Sequence, residues 1–202
     1  MSAANVKRAA NTIIAPTNMS LIDRIKNIIV SPRTEWPRIA EEPATVASLY
    51  TGYILILAAI GPVALLLSRI ISVSGAIVQY LLVLALTYLA ALVIDALAPP
   101  FGGEKGFLPA LKLAAYSMTP IWVAEVLYVV RGLLALVGLL AILYGVYLFY
   151  VGVPVLKKVP RERVPGYAIV VIVCIIVLWY LLTGLIMRPS FGLMMMPGRG
   201  WH

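Results

Sequence analysis

GAIVQYLLVLALTYLAALVIDALA, residues 75–98, holds one charged side chain, Asp95, and that lies near its end. An α-helix rises 1.5 Å per residue, so about 20 apolar residues cross a hydrocarbon core of ~30 Å. Residues 75–98 meet that length as a continuous block, without an amphipathic repeat. Four other blocks read the same way: residues 47–68, which include TGYILILAAIGPVALLLS, and residues 107–130, 132–154 and 166–187. The expected fold is all-α, a polytopic integral membrane protein of five transmembrane helices.

Composition excludes the soluble alternative. Of the 202 residues, 62% are hydrophobic and 12% charged, whereas a soluble domain carries about 25% charged residues. The single cysteine, Cys174, lies inside an apolar block and has no partner for an internal disulfide. The first apolar block begins near Ala47, so no cleavable signal peptide is expected.

The blocks are separated by helix breakers and charges. Arg69 closes the first, residues 72–74 turn the chain, and Pro99-Pro100 stop the second ahead of Gly102-Gly103. Arg131-Gly132 divides the third from the fourth, and KKVPRERVP (157–165) is a polar loop. Inside the blocks, Pro62 (after Gly61) and Pro120 are kink sites, because proline removes a helical hydrogen bond. Such kinks either set the helix shape or serve as hinges.

Orientation follows from the Lys and Arg counts of the connections. With the N-terminus inside, twelve of the 16 basic residues fall in inner segments and four (Arg69, Arg131, Arg188, Arg199) in outer ones. The expected location is therefore the cell membrane, multi-pass, with a cytoplasmic N-terminus and, after five spans, an external C-terminus. The net charge of +8 reads as topology signal and anionic-lipid contact, not as a nucleic-acid surface.

Residues 1–17 read as a disordered tail and 18–46 as a cytoplasmic amphipathic segment. In MSLIDRIKNIIVSP (19–32), Met19, Leu21, Ile22, Ile25, Ile28 and Ile29 gather near one helical face. Asp23, Arg24, Lys26 and Asn27 lie largely on the other. Asn18 or Ser20 is the expected cap and Pro32 the limit. The pattern suits an interfacial helix on the inner leaflet with Trp36 as anchor. A helix packed on the spans has the same pattern.

Ionisable residues inside spans are the first functional candidates, and here they are Asp95, Lys112 and Glu125. Asp95 and Lys112 fall at similar depth near the inner interface and suit a pair. Glu125 falls near the outer end of its span, where Arg131 or Arg69 is the expected partner. Helix pairing and a proton or ion path are the two readings of these charges. Gly138, Gly145 and Gly152 recur every seven residues, which suits a helix–helix seam, with Tyr144 and Tyr147 bonding across it or lining a ligand. The tail, residues 188–202, is expected outside; Met194, Met195, Met196 and His202 suggest either a Cu(I) site or a surface for a membrane or partner. No catalytic, cofactor-binding or metal motif is otherwise legible: phosphate loops, His-Glu-x-x-His, paired cysteines and Gly-x-Ser-x-Gly are all lacking.

One arrangement of residues is similar to a known family. It comprises Pro32…Glu35-Trp36…Ile39…Glu42 ahead of the spans, Phe101-Gly102-Gly103, and Ala115-Tyr116-Ser117…Pro120. It continues with Leu143-Tyr144-Gly145-Val146-Tyr147-Leu148…Tyr150…Gly152 and a basic loop with Pro160. Over residues 20–187 the chain resembles the Yip-one (Ypt/Rab-interacting protein) domain family, in particular its prokaryotic members of unknown function. The resemblance implies a five-helix bundle and, in eukaryotic relatives, a role in vesicle traffic through small GTPases. The Asp-Leu-Tyr-Gly-Pro type motif of those relatives is missing; Ser48-Leu49-Tyr50-Thr51-Gly52 stands nearest to it. The expected function is non-enzymatic: an accessory, scaffold or membrane-organising subunit that meets lipid and a membrane-protein partner or a second copy. A small transporter or channel using Asp95 and Glu125 is the alternative, and an external Cu(I)-binding tail a second.

Overall fold

A computed structural model describes the backbone of residues 19–129 and 134–194 and the side chains of residues 19–127 and 136–184. All regular structure among them is helical. Two short helices come first among the described residues: α1 (Leu21–Val30) and α2 (Pro32–Glu41). Ser20 caps α1 by accepting from the Asp23 N–H at 3.1 Å, and Pro32 stands in the first turn of α2, where its missing N–H costs nothing. Then come α3 (Val46–Leu67), α4 (Val73–Leu97), α5 (Phe107–Ala124), α6 (Leu134–Leu156) and α7 (Val164–Met194). The last runs past the end expected near residue 187.

Four stretches are long and apolar enough to cross a membrane: Val46–Leu67, Val73–Leu97, Leu136–Leu156 and Val164–Gly184. The remaining block, α5, differs in chemistry. It carries Lys112, Tyr116, Ser117, Thr119 and Pro120, and all five are buried. The helix packs against α6, α4, α3 and α1, so its polar side chains face neighbouring helices and α5 forms the middle of the bundle.

Local sequence explains the irregularities. A Thr45–Ser48 capping box starts α3, and a π-helical turn at Tyr50–Ile54 follows. The α-helix is interrupted at Ala59, between Leu55–Ala58 and Ile60–Leu67. Pro62 accounts for that break, since it has no N–H for the carbonyl of Ala58. At Pro120 no such break occurs. There α5 continues to Ala124 and tightens into 3-10 turns at Glu125–Val129.

Tyrosine hydroxyls tie the helices to one another through carbonyls. Tyr80 donates from α4 to Leu55 at 2.9 Å, Tyr50 from α3 to Leu84 at 3.2 Å, and Tyr167 from α7 to Ile94 at 2.5 Å.

Candidate functional site

The polar side chains gather at the end of the bundle where α4 meets α5 and α6 meets α7. Glu35, Trp36 and Ile39 share one face of α2 and are all buried. Arg24 reaches them from α1. Its guanidinium bonds Glu35 Oε1 at 2.5 Å and also Glu42 Oε2, a fork geometry that arginine provides and lysine does not. Its Cζ lies 5.8 Å from the ring centroid of Tyr116 on α5, within reach of a cation–π attraction. Arg38 adds a longer contact to Glu35, 3.7 Å.

Lys112 completes this clamp. Its Nζ donates to the carbonyls of Ile39 at 2.7 Å and Glu42 at 2.6 Å. These carbonyls belong to the end of α2, where helical partners are lacking and the helix dipole is negative. The ammonium thus satisfies orphan acceptors while fixing α2 on α5.

Two sequence expectations are corrected here. Arg24 is buried at 6% exposure while Ile22 on α1 is 75% exposed, so α1 turns part of its charged face inward. Trp36 is no interfacial anchor: it is fully buried. Its indole fills a slot opened by Gly152, where an added Cβ would stand 2.7 Å from Trp36 Cε2 and 2.6 Å from Leu113 Cδ1.

The expected Asp95–Lys112 pair does not form. Asp95 instead bonds Lys157, from the end of α6, at 2.6 Å, and accepts the Gly106 N–H at 2.6 Å. Lys157 Nζ also donates to the Gly106 carbonyl at 3.1 Å. The backbone closes the latch, with Glu104 N–H on the Lys157 carbonyl at 2.8 Å. Gly103 permits this approach, since a Cβ there would lie 2.7 Å from that same carbonyl. The physical reason for the switch of partner is competition: the α2 carbonyls claim Lys112, and the α6–α7 connection carries a second lysine to Asp95.

Glu125 lies eighteen residues beyond Phe107, about 27 Å along a helix, so it and Asp95 are far apart. Its carboxylate lies directly against the backbone of Gly61, where a Cβ would stand 2.3 Å from Glu125 Oε2. The break at Ala59 and the bare glycine together make that seat. Among the described side chains no ion pair joins Glu125 to Arg69; Arg131 lies outside the described residues, as do residues 1–17, Met195, Met196, His202 and the side chain of Met194.

The glycine stripe on α6 divides. Gly145 packs on the Ser117 carbonyl, 2.9 Å from a would-be Cβ, and Gly152 on Leu113 and Trp36, but Gly138 has nothing within 4 Å. Tyr144 donates to the Ile29 carbonyl at 2.5 Å and stands 5.5 Å from the Tyr147 ring. Sequence reasoning did not single out Arg24, Glu35 or Lys157 as site residues. The signal for Arg24 was its place four residues before Ile28, the two buried positions of α1.

A bundle of apolar helices under an N-terminal helical hairpin, held by charges at one end, defines the class: a helical membrane protein. The model of the Yip1 domain matches residues 26–182, and the chain belongs to that family. The match begins inside α1, so Arg24 precedes it while its partners Glu35 and Glu42 fall within it. No curated protein and no solved structure matches the chain significantly.

Proposed function

We propose that the protein is a non-enzymatic membrane subunit, an accessory or scaffold that works through helix–helix and lipid contacts. One observation carries the reading: the buried cations Arg24, Lys112 and Lys157 are all spent on internal ties. They hold a hairpin and two connections together at one end, which makes a platform and leaves no chain of charges through the bundle among the described side chains.

Five spans are supported by the course of α5. Its start is bonded to Asp95 at the end of α4 and lies beside the end of α6. It pairs antiparallel with α6, Leu113 opposite Gly152 and Ser117 opposite Gly145. Since α6 is itself long enough to cross, α5 must traverse the same distance to reach its start. A central helix shielded by the others tolerates Lys112 and its polar neighbours.

The basic N-terminal segment and the 157–165 loop share one end of the bundle, in keeping with a cytoplasmic N-terminus and anionic-lipid contact. Purification in mild detergent, after cross-linking in the native membrane, tests the proposal. A stable partner or self-association is expected; a lone monomer in every detergent overturns it.

A small transporter or channel is favoured by one feature, the Glu125 carboxylate on the Gly61–Pro62 break, beside a cavity of about 60 Å³ that Gly138 also lines. Reconstituted vesicles decide: loss of ion or proton flux in Glu125→Gln supports transport, and equal permeability of the variant and protein-free vesicles removes it.

A further inference from the structure

Between α4, α5, α6 and α7 lies an apolar cleft of about 270 Å³. It is larger than the ~150 Å³ apolar cavity that suffices for a benzene. Its walls include Thr87, Ser117, Phe149, Ile175 and Trp179. One end is shut, where Tyr167 bonds the Ile94 carbonyl at 2.5 Å and stacks on Phe149. Toward the other end the wall opens: Ile176 is 48% and Trp179 43% exposed. Those side chains belong to the apolar outer surface of α7, so the mouth faces lipid and not water.

Along α4 the cleft runs from Val83 to Ile94, eleven residues or about 16 Å. That is roughly half of a ~30 Å hydrocarbon core, the reach of one lipid tail. One polar side chain of its wall stands out. Ser117 is 6% exposed, and its Oγ is buried with no hydrogen-bond partner. Thr87, by contrast, has given its hydrogen to the Val83 carbonyl at 2.8 Å. A buried hydroxyl without a partner is costly, and a turn about χ1 toward the cleft that Ser117 lines would let a ligand oxygen relieve that cost.

We propose that this cleft is a lipid-binding site for a single-chain lipophile bearing one small oxygen group, of the long-chain alcohol or ketone type. The chain fills the groove between α4 and α7, and the oxygen accepts from Ser117 Oγ.

The test uses the purified, delipidated full chain in detergent and a photoactivatable sixteen-carbon alcohol. Labelling is expected to saturate and to map to peptides around Thr87 and Trp179. Unlabelled hexadecanol should compete roughly fivefold better than hexadecane, the worth of about one hydrogen bond. Ser117→Ala should erase that preference yet keep competition by the alkane. Labels scattered over the outer surface, or alcohol and alkane competing equally in the unmodified chain, overturn the proposal. So does competition by two-chain phospholipid alone, which would make the occupant an ordinary bilayer tail.

Discussion

The two ends of the bundle handle buried polar groups in opposite ways. At the end that carries the hairpin, Arg24, Glu35, Lys112 and Lys157 are buried and every one of them is paired; the indole nitrogen of Trp36 is the exception. Toward the other end, Glu125 lies against Gly61 at a helix break, Ser117 Oγ has no partner, and the helices part around a cleft. The first arrangement favours one rigid geometry. The second leaves room for something else to enter. Substitutions at the paired end should therefore cost stability, and those at the open end should act on ligands.

The largest loss is expected from Arg24→Met. It leaves the buried Glu35 carboxylate, 1% exposed, with only the longer contact to Arg38 at 3.7 Å, and breaking a buried pair from one side costs about 3–5 kcal/mol. Thermal unfolding in detergent, followed by the thiol reactivity of Cys174, checks it. Adding Glu35→Met should recover much of the loss, because an apolar pair of similar volume needs no counter-charge. A double variant no more stable than the single would show that the pair is not the unit.

Lys157→Met comes next, at roughly 2–3 kcal/mol for hydrogen bonds to a charged group, since Asp95 and the Gly106 carbonyl both lose the ammonium and keep only a backbone N–H each. The same variant is expected to expose the α4–α5 connection to protease, and unchanged digestion would argue against a latch.

The glycine stripe sharpens the comparison within a single helix. Gly152→Ala drives a methyl into Leu113 and Trp36, an overpacking worth about 1–3 kcal/mol. Gly138→Ala meets open space and should be neutral or gain up to ~1 kcal/mol from helix propensity. Equal behaviour of the two would mean that the sevenfold spacing, not the contact, matters.

What was legible in advance follows from the range of the forces involved. Apolar blocks reveal helices because burial in lipid is a property of each segment alone, and the breaks at Pro99-Pro100 and residues 157–165 were equally local. Pairings are different. Asp95 and Lys112 lie seventeen residues apart and looked matched, yet Lys157, much later in the chain, is the partner. Which cation arrives is decided by how α6 returns past Gly103, and no local pattern encodes that. Trp36 misled for a related reason: tryptophan suits an interface by itself, and only Gly152, across the fold, turns it into a buried wedge.

The smallest effect is expected one residue from one of the larger ones. Lys158 follows Lys157 in sequence and bonds Glu104 at 2.8 Å, but both side chains are 63% exposed. Exposed pairs gain little, because water competes for both ions and two long side chains must be held still. Lys158 also has a left-handed backbone, φ 53°, so the informative substitution keeps a Cβ and leaves that strain unchanged. Lys158→Ala should then shift stability by less than ~0.5 kcal/mol, where Lys157→Met costs several times as much. If the two neighbours were to cost the same, the latch would owe its strength to the charge of the whole connection, and the burial of Lys157 against Asp95 would not be what separates the paired end from the open one.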